Sequence, residues 1–285
     1  MNVFSLKSDP LRPITLTEKI YNDKTKRDVP YVQRVNGDLR SFALCPGCQN
    51  PTVLVNRTIT QTEATVLYAK HTGYDVKDVA EHNEAAYLDC PLANPERFDS
   101  KKRRTSKSRN DELRQALLNH LHLVIASLEE AIEIKFTDAV VESMVRDFGD
   151  NKGYEYKAIN LFNLPFGFAY MTEAKDLYGC RVKSDVAQAI AALSKGFITR
   201  QSYGSYTVLR NPQAGGTKIR FYFNNHRMES SSMGKDSIDF CIVEMSTETD
   251  QSVMLFKKRI EFECEKFFNT FRRRERFRLL AQKYI

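Results

Sequence analysis

Apolar and polar positions alternate in the first third of the chain and recur every three or four residues in the middle. Val32 to Val35 and Leu39 to Leu44 flank Asn36-Gly37. An Asn-Gly pair between apolar runs predicts a two-residue hairpin, because both central positions accept positive φ. Val53 to Arg57 reads as the next strand, and Thr62 to Lys70 fits strand or helix. Asp75 to Leu88 has helical spacing, with Asp75 as N-cap and Val76, Val79, Ala80, Asn83 and Tyr87 on one face. Residues 1–30 show little periodicity and read as an extended lead-in.

A long helix is predicted from Asp111 to about Ile134, where Leu113, Leu117, Leu121, Ile125 and Leu128 step by three or four. Phe136-Thr137-Asp138 marks a break before a second helix carrying Val140, Val141, Met144, Val145 and Phe148. The apolar stretch from Ala158 to Met171 is read as buried core with a turn at Asn163-Leu164-Pro165. Ser184 or Asp185 caps a helix over Val186–Lys195, which Gly196 ends. Phe197–Ser202, Tyr206–Arg210, Lys218–Asn224 and Ile238–Met245 are β-branched or aromatic runs separated by turn signals, including Tyr203-Gly204 and a Ser/Gly-rich loop before Ile238. They predict an antiparallel meander. From about Ser252 to the end, Phe256, Ile260, Cys264, Phe267 and Phe271 form one helical stripe that would pack on that meander. The expected class is α+β.

The chain has 285 residues, with 42% hydrophobic and 28% charged, so wholesale disorder is excluded. The net charge of +7 is unevenly placed. Residues 101–109 contribute +6 and residues 257–285 another +6, leaving the rest at −5. Residues 100–110 contain no apolar and no acidic side chain, so they read as a basic linker between a module at 1–99 and a domain at 111–285. Such segregation favours a polyanionic partner over simple solubility. Lys101, Lys102, Arg103, Arg104, Lys107 and Arg109 in the linker, and Arg272, Arg273 and Arg274 in the terminal helix, are the expected phosphate contacts.

Six cysteines are too few for a disulfide scaffold, and the opening residues have no signal-type apolar core. The expected location is therefore intracellular: cytoplasmic, or nuclear in a eukaryote, with no membrane partner. In a reducing compartment clustered thiols point to metal. Cys45-x-x-Cys48 follows the hairpin directly, and Gly47 is expected to ease the turn. A tetrahedral structural site needs two more ligands, and the module offers His71, His82 and Cys90. If residues 75–88 are helical, His82 and Cys90 stand about 12 Å apart along the axis, whereas His71 and Cys90 flank the element and converge. The expected set is Cys45, Cys48, His71 and Cys90 around Zn²⁺, with His82 in reserve. Over residues 30–95 the pattern resembles zinc ribbons and knuckles, which implies a small N-terminal zinc-knuckle module. Cys180, Cys241 and Cys264 lack paired spacing and read as small core residues.

Catalytic signatures are sparse. No phosphate-cradling glycine loop, Gly-x-Ser-x-Gly elbow or His-Glu-x-x-His motif occurs. Glu133-Ile134-Lys135 has a metal-nuclease spacing but ends a helical run. Glu81-His82-Asn83-Glu84 is similar to the His and Asn of small ββα-metal nucleases, with His82 as general base. The leading expectation is a non-catalytic, zinc-stabilised protein that binds DNA or RNA. The alternatives are a metal-dependent nuclease using His82, and a subunit whose Tyr203, Tyr206, Phe221, Tyr222 and Phe223 form a protein interface.

Overall fold

The computed structural model describes residues 1–58, 65–93, 95–228, 235–249 and 251–285. Its elements begin with β1 (Val3–Leu6), β2 (Asp9–Thr15), α1 (Glu18–Thr25), β3 (Val32–Val35), β4 (Asp38–Leu44), β5 (Pro51–Thr58), β6 (Thr65–His71) and α2 (Glu84–Leu88). There follow α3 (Lys107–Ile132), β7 (Ile134–Lys135), α4 (Asp138–Asp150), α5 (Leu164–Tyr170), β8 (Lys175–Asp176), β9 (Arg181–Val182) and α6 (Ser184–Leu193). The chain ends with β10 (Phe197–Ser202), β11 (Ser205–Arg210), β12 (Thr217–Arg227), β13 (Ser237–Ser246), β14 (Ser252–Glu261) and α7 (Cys264–Tyr284). It is a mixed α+β fold with antiparallel sheets and a long C-terminal helix. Two compact units emerge: Met1–Glu96 with Glu263–Ile285, and Arg97–Met228 with Lys235–Phe262.

In the first unit the sheet order is β2-β1-β4-β5-β6, with β3 hairpinned onto β4. The Asn36-Gly37 turn forms as expected, with φ of 52° and 90°. Residues 1–30, in contrast, are no lead-in. They supply β1, β2 and α1, and Phe4, Leu16 and Tyr21 join Ala43, Leu54 and Ala69 in the core. Their periodicity is hidden because β2 is an edge strand, where Pro10 and Pro13 are tolerated. Thr17 caps α1 by accepting the Ile20 amide at 3.1 Å. The buried Tyr21 hydroxyl bonds the Tyr31 and Phe42 carbonyls at 2.9 and 2.8 Å, and burial raises its pKa to about 12.

The expected helix over Asp75–Leu88 shrinks to Glu84–Leu88. Asp78 takes a left-handed φ of 60°, Val76 pairs with Ala80, and Asp75 accepts the His82 amide at 2.7 Å, so a tight loop replaces two helical turns. Asn83 is the true N-cap, accepting the Ala86 amide at 2.9 Å. Of the ambiguous segment, Thr65 onward is strand, and residues 62–64 lie outside the described residues.

The second unit holds two four-stranded sheets, β10-β11-β9-β7 and β14-β13-β12-β8, where one meander was expected. The change of sheet occurs between β11, whose Tyr206 and Thr207 pair with β9, and β12, which pairs with β13. The Ser/Gly-rich loop expected before Ile238 lies largely outside the described residues. α3 begins at Lys107, capped by Ser106, and buries Leu113, Ala116, Val124, Ile125, Leu128 and Ile132. Thr137 caps α4. The expected turn at Asn163–Pro165 instead opens α5, since proline suits the first helical turn. Glu244 accepts the Lys195 and Gly196 amides at 3.0 and 2.8 Å and holds the turn after α6. On β13 the buried Asp239 accepts from Arg227 at 2.6 Å, Asn225 at 2.9 Å and Lys257 at 3.0 Å.

The stripe expected to run as one helix from Ser252 divides. Phe256 and Ile260 lie on β14, and α7 starts only at Cys264. A spacing of four satisfies both the helical and the strand period. α7 packs against β2, its Phe267, Phe268 and Phe271 are buried, and Thr15 donates to Glu265 at 2.6 Å. Among the described residues no helix is long and apolar enough to cross a membrane.

Candidate metal centre

β4 ends at Leu44 and hands the chain to a tight turn. The Gln49 amide returns to the Cys45 carbonyl at 2.7 Å, and the Cys45 amide donates to the Asn50 carbonyl at 2.9 Å. This places the Cys45 and Cys48 thiols on one side. The positive φ of the turn, 61°, falls at Gln49 and not at Gly47. A Cβ at Gly47 would meet the Cys90 sulfur and Leu92 at 3.4 Å, an ordinary contact, so neither strain nor crowding singles out the glycine. His71 closes β6 opposite Thr52 of β5, and Cys90 follows α2, its amide bonded to the Tyr87 carbonyl at 3.0 Å.

Four donors therefore arrive from three directions. Cys45, Cys48, His71 and Cys90 bring their ligand atoms within 4.8 Å of one another and can hold a metal ion. The Cys45 and Cys90 sulfurs are 3.6 Å apart. His71 Nε2 stands 3.3 Å from the Cys48 sulfur and 3.8 Å from that of Cys90. The three cysteines are buried and the histidine is half-buried. Leu92, Ala86 and Ala93 pack around the thiols, and the Tyr87 ring meets His71 edge-on at 5.2 Å.

Electrostatics divide the thiols. Burial pushes Cys45 well above the ordinary range, reinforced by hydrogen bonds with Cys48 and Cys90. Cys48 is driven the other way by hydrogen bonds from Cys45 and Cys90, with His71 adding to them. For Cys90, a hydrogen bond from Cys45 lowers the value, but the Cys48 contact and burial outweigh it and leave the thiol at about 11. Three thiols in one dry pocket cannot all ionise without a compensating cation.

A fifth residue, belonging to no sequence motif, completes the arrangement. Asn50 is buried, donates to the Cys48 sulfur at 3.3 Å and to the Asn83 carbonyl at 3.0 Å, and accepts the Asn83 amide at 2.5 Å. It holds the Cys48 thiol and ties the Cys45–Asn50 turn to the start of α2. Its position two residues past Cys48 was the available signal.

His82, the reserve ligand and candidate base, is not in the cluster. Its Nε2 pairs with Glu84 at 2.9 Å. Among the described residues it belongs to no group of three or more ligand-type side chains that could hold a metal ion. The helical rise expected to separate it from Cys90 is absent along with the helix, yet His71 is the histidine at the thiols.

The basic positions fall into different environments. Lys101 is exposed, as are Lys102, Lys107, Arg273 and Arg274, while Arg109 and Arg272 are half-buried. Arg103 donates to the Asn151 and Lys152 carbonyls at 3.0 and 3.1 Å and lies 3.8 Å over the Tyr156 ring. Arg104 donates to the Tyr154, Tyr156 and Ile159 carbonyls at 3.2, 3.3 and 2.5 Å. These two arginines are structural clasps on the 151–159 segment, so residues 103–104 are not a free spacer. Of the five aromatics considered for a protein interface, Phe221 and Phe223 are core and Tyr203 alone is fully exposed. Among the other cysteines, Cys180 and Cys241 are buried and Cys264 is half-buried. The chain matches no protein-family model, no curated protein and no solved structure.

Proposed function

We propose that Cys45, Cys48, His71 and Cys90 hold a structural Zn²⁺ and that the chain is a non-catalytic nucleic-acid-binding protein. The observation that carries the zinc reading is the geometry of the donors. Zinc at about 2.3 Å from sulfur and 2.0 Å from nitrogen makes tetrahedral edges of roughly 3.8 Å between sulfurs and 3.6 Å between sulfur and nitrogen. Three of the donor spacings, 3.6, 3.3 and 3.8 Å, lie close to those edges, and all four ligand atoms fall within 4.8 Å of one another. Three thiols and one imidazole are a donor set that favours zinc over harder cations. Four protein ligands fill a tetrahedron, so the ion would hold the turn, β6 and the segment after α2 together and activate no water.

Charge segregation supports the nucleic-acid reading. The contacts assigned to phosphate are Lys101, Lys102, Lys107 and Arg109 before and at the start of α3, and Arg272, Arg273 and Arg274 on α7. Arg103 and Arg104 bind carbonyls of their own chain and serve that surface only indirectly. The test has two parts. Elemental mass spectrometry on untagged protein is expected to find one zinc per chain, lost in Cys90→Ala; wild type without metal overturns the zinc assignment. A salt titration with labelled DNA and RNA is expected to flatten by about 2 in logarithmic slope when Arg272, Arg273 and Arg274 become Gln. An unchanged slope removes α7 from the interface.

A further inference from the structure

Neither the metal cluster nor the basic segments involve the β10–β11 hairpin, yet it carries two features the fold does not explain. Its strands pair through Ser202 and Ser205, leaving Tyr203-Gly204 as a two-residue loop with φ of 44° and 74°. The Ser205 hydroxyl donates to the Ser202 carbonyl at 3.0 Å across the turn. Positive φ at both central positions suits Asn-Gly, whereas a bulky side chain in the first is strained. The strained residue is Tyr203, whose ring is fully exposed and packs on nothing in its own unit. Strain and solvent-exposed aromatic surface coincide at one position with no compensating contact.

The second feature lies on the strands behind the tip. Register places Arg200 of β10, Thr207 of β11, Arg181 of β9 and Lys135 of β7 in one row across the sheet. Residues opposite one another share a face. The neighbouring row carries the buried Val182 and Ile134, so the cationic row points outward, and Arg200, Arg181 and Lys135 are exposed. Lys135 is paired with Glu129 at 2.8 Å. Among the described residues, Arg181 and Arg200 have no carboxylate within ion-pairing distance. They sit two strands apart, about 10 Å, which is the length of roughly three stacked nucleotides.

We propose that this hairpin face binds single-stranded nucleic acid, with Arg181 and Arg200 on phosphates and Tyr203 stacked on an unpaired base. The inference rests on the nucleic-acid reading above and names a surface outside its basic segments. An exposed aromatic ring at the tip of a hairpin whose strands carry a cationic row is the kind of combination by which proteins hold single strands. A duplex keeps its base faces inside the stack and offers nothing to the ring, so the tyrosine selects the single-stranded form.

Fluorescence anisotropy of the full chain with a labelled mixed-sequence 20-mer, single-stranded and as duplex, tests this. Tyr203→Asn suits the turn, so its Tm should hold or rise while single-strand affinity falls about tenfold. Tyr203→Phe should bind as wild type. Replacing Arg181 and Arg200 together by Gln should weaken binding and flatten the salt slope by about 1.4. Unchanged affinity in Tyr203→Asn overturns the hairpin, as does a duplex preferred to the single strand by wild type and Tyr203→Asn alike. If affinity falls only when the linker or α7 cations are replaced, the hairpin alone is refuted and the broader reading stands. If wild type binds neither form, both fall.

Discussion

At the level of single residues, the metal cluster depends on groups that are not ligands. Asn50 sends one hydrogen bond to the Cys48 sulfur and makes two with the backbone of Asn83, so it orients a ligand and anchors it to the start of α2. Such outer contacts commonly carry a factor of about 10 to 100 in metal affinity. If the proposed Zn²⁺ is bound there, Asn50→Ala should weaken its retention by about that factor in a chelator competition while one ion still binds. Equal retention would reduce Asn50 to a turn residue. Gly47 teaches a related point: a glycine between two cysteines suggests backbone freedom, but the positive φ of the turn sits at Gln49.

Among the elements, the end of β12 carries a pH-sensitive device. His226 is buried, accepts the Phe98 amide at Nδ1 at 3.0 Å, and lies stacked against Phe98 with ring centroids 4.1 Å apart. Phe262 stacks on the same imidazole at 5.6 Å and on Phe166 at 4.2 Å. Burial, with a smaller push from Arg97 partly offset by Asp99, lowers the His226 pKa from 6.5 to about 4. The unfolded chain therefore binds this proton more readily than the folded one. The stability it contributes is complete above about pH 6.5 and falls away as pH drops toward 4. A Tm profile should show this loss in wild type and a shallower one in His226→Gln. Parallel profiles would show that other groups govern the acid limb.

Elements also show where the sequence was legible. Asn36-Gly37, the cap at Thr137, and the strands of β12 and β13 follow from local chemistry, because the turn pair, this cap and strict alternation each have one reading. Two other elements depart from expectation because their patterns have two. Phe256 and Ile260, four apart, suit helix and strand equally. Val76, Val79 and Ala80 look helical until Asp78 turns left-handed. The clustering of Cys45, Cys48, His71 and Cys90 was legible because the module offered only three further Cys or His donors downstream. The division into two sheets was not, and Asn50 only in part, since the sheet pairings and the bonds of Asn50 to Asn83 join residues distant in sequence.

The whole molecule is two units with unequal means of support. The second has long helices against two sheets, whereas the first has a small core in which three cysteines form one of the clusters. If the ion is part of that core, calorimetry should resolve a lower transition that falls on chelation and rises with added zinc, and an upper one that stays fixed. A lower transition indifferent to chelator would show that the first unit stands without metal.

The first unit also joins segments far apart in the chain, since α7 lies on β2 and Thr15 meets Glu265, 250 residues later. On a ribosome adding about 5–20 residues per second, β2 is made roughly 12 to 50 seconds before the helix that lies against it. Cys45, Cys48, His71 and Cys90 all emerge early in that interval. Metal loading can thus precede closure of the unit, and the apolar surface that awaits Phe267 and Phe271 is the stretch a chaperone would have to guard.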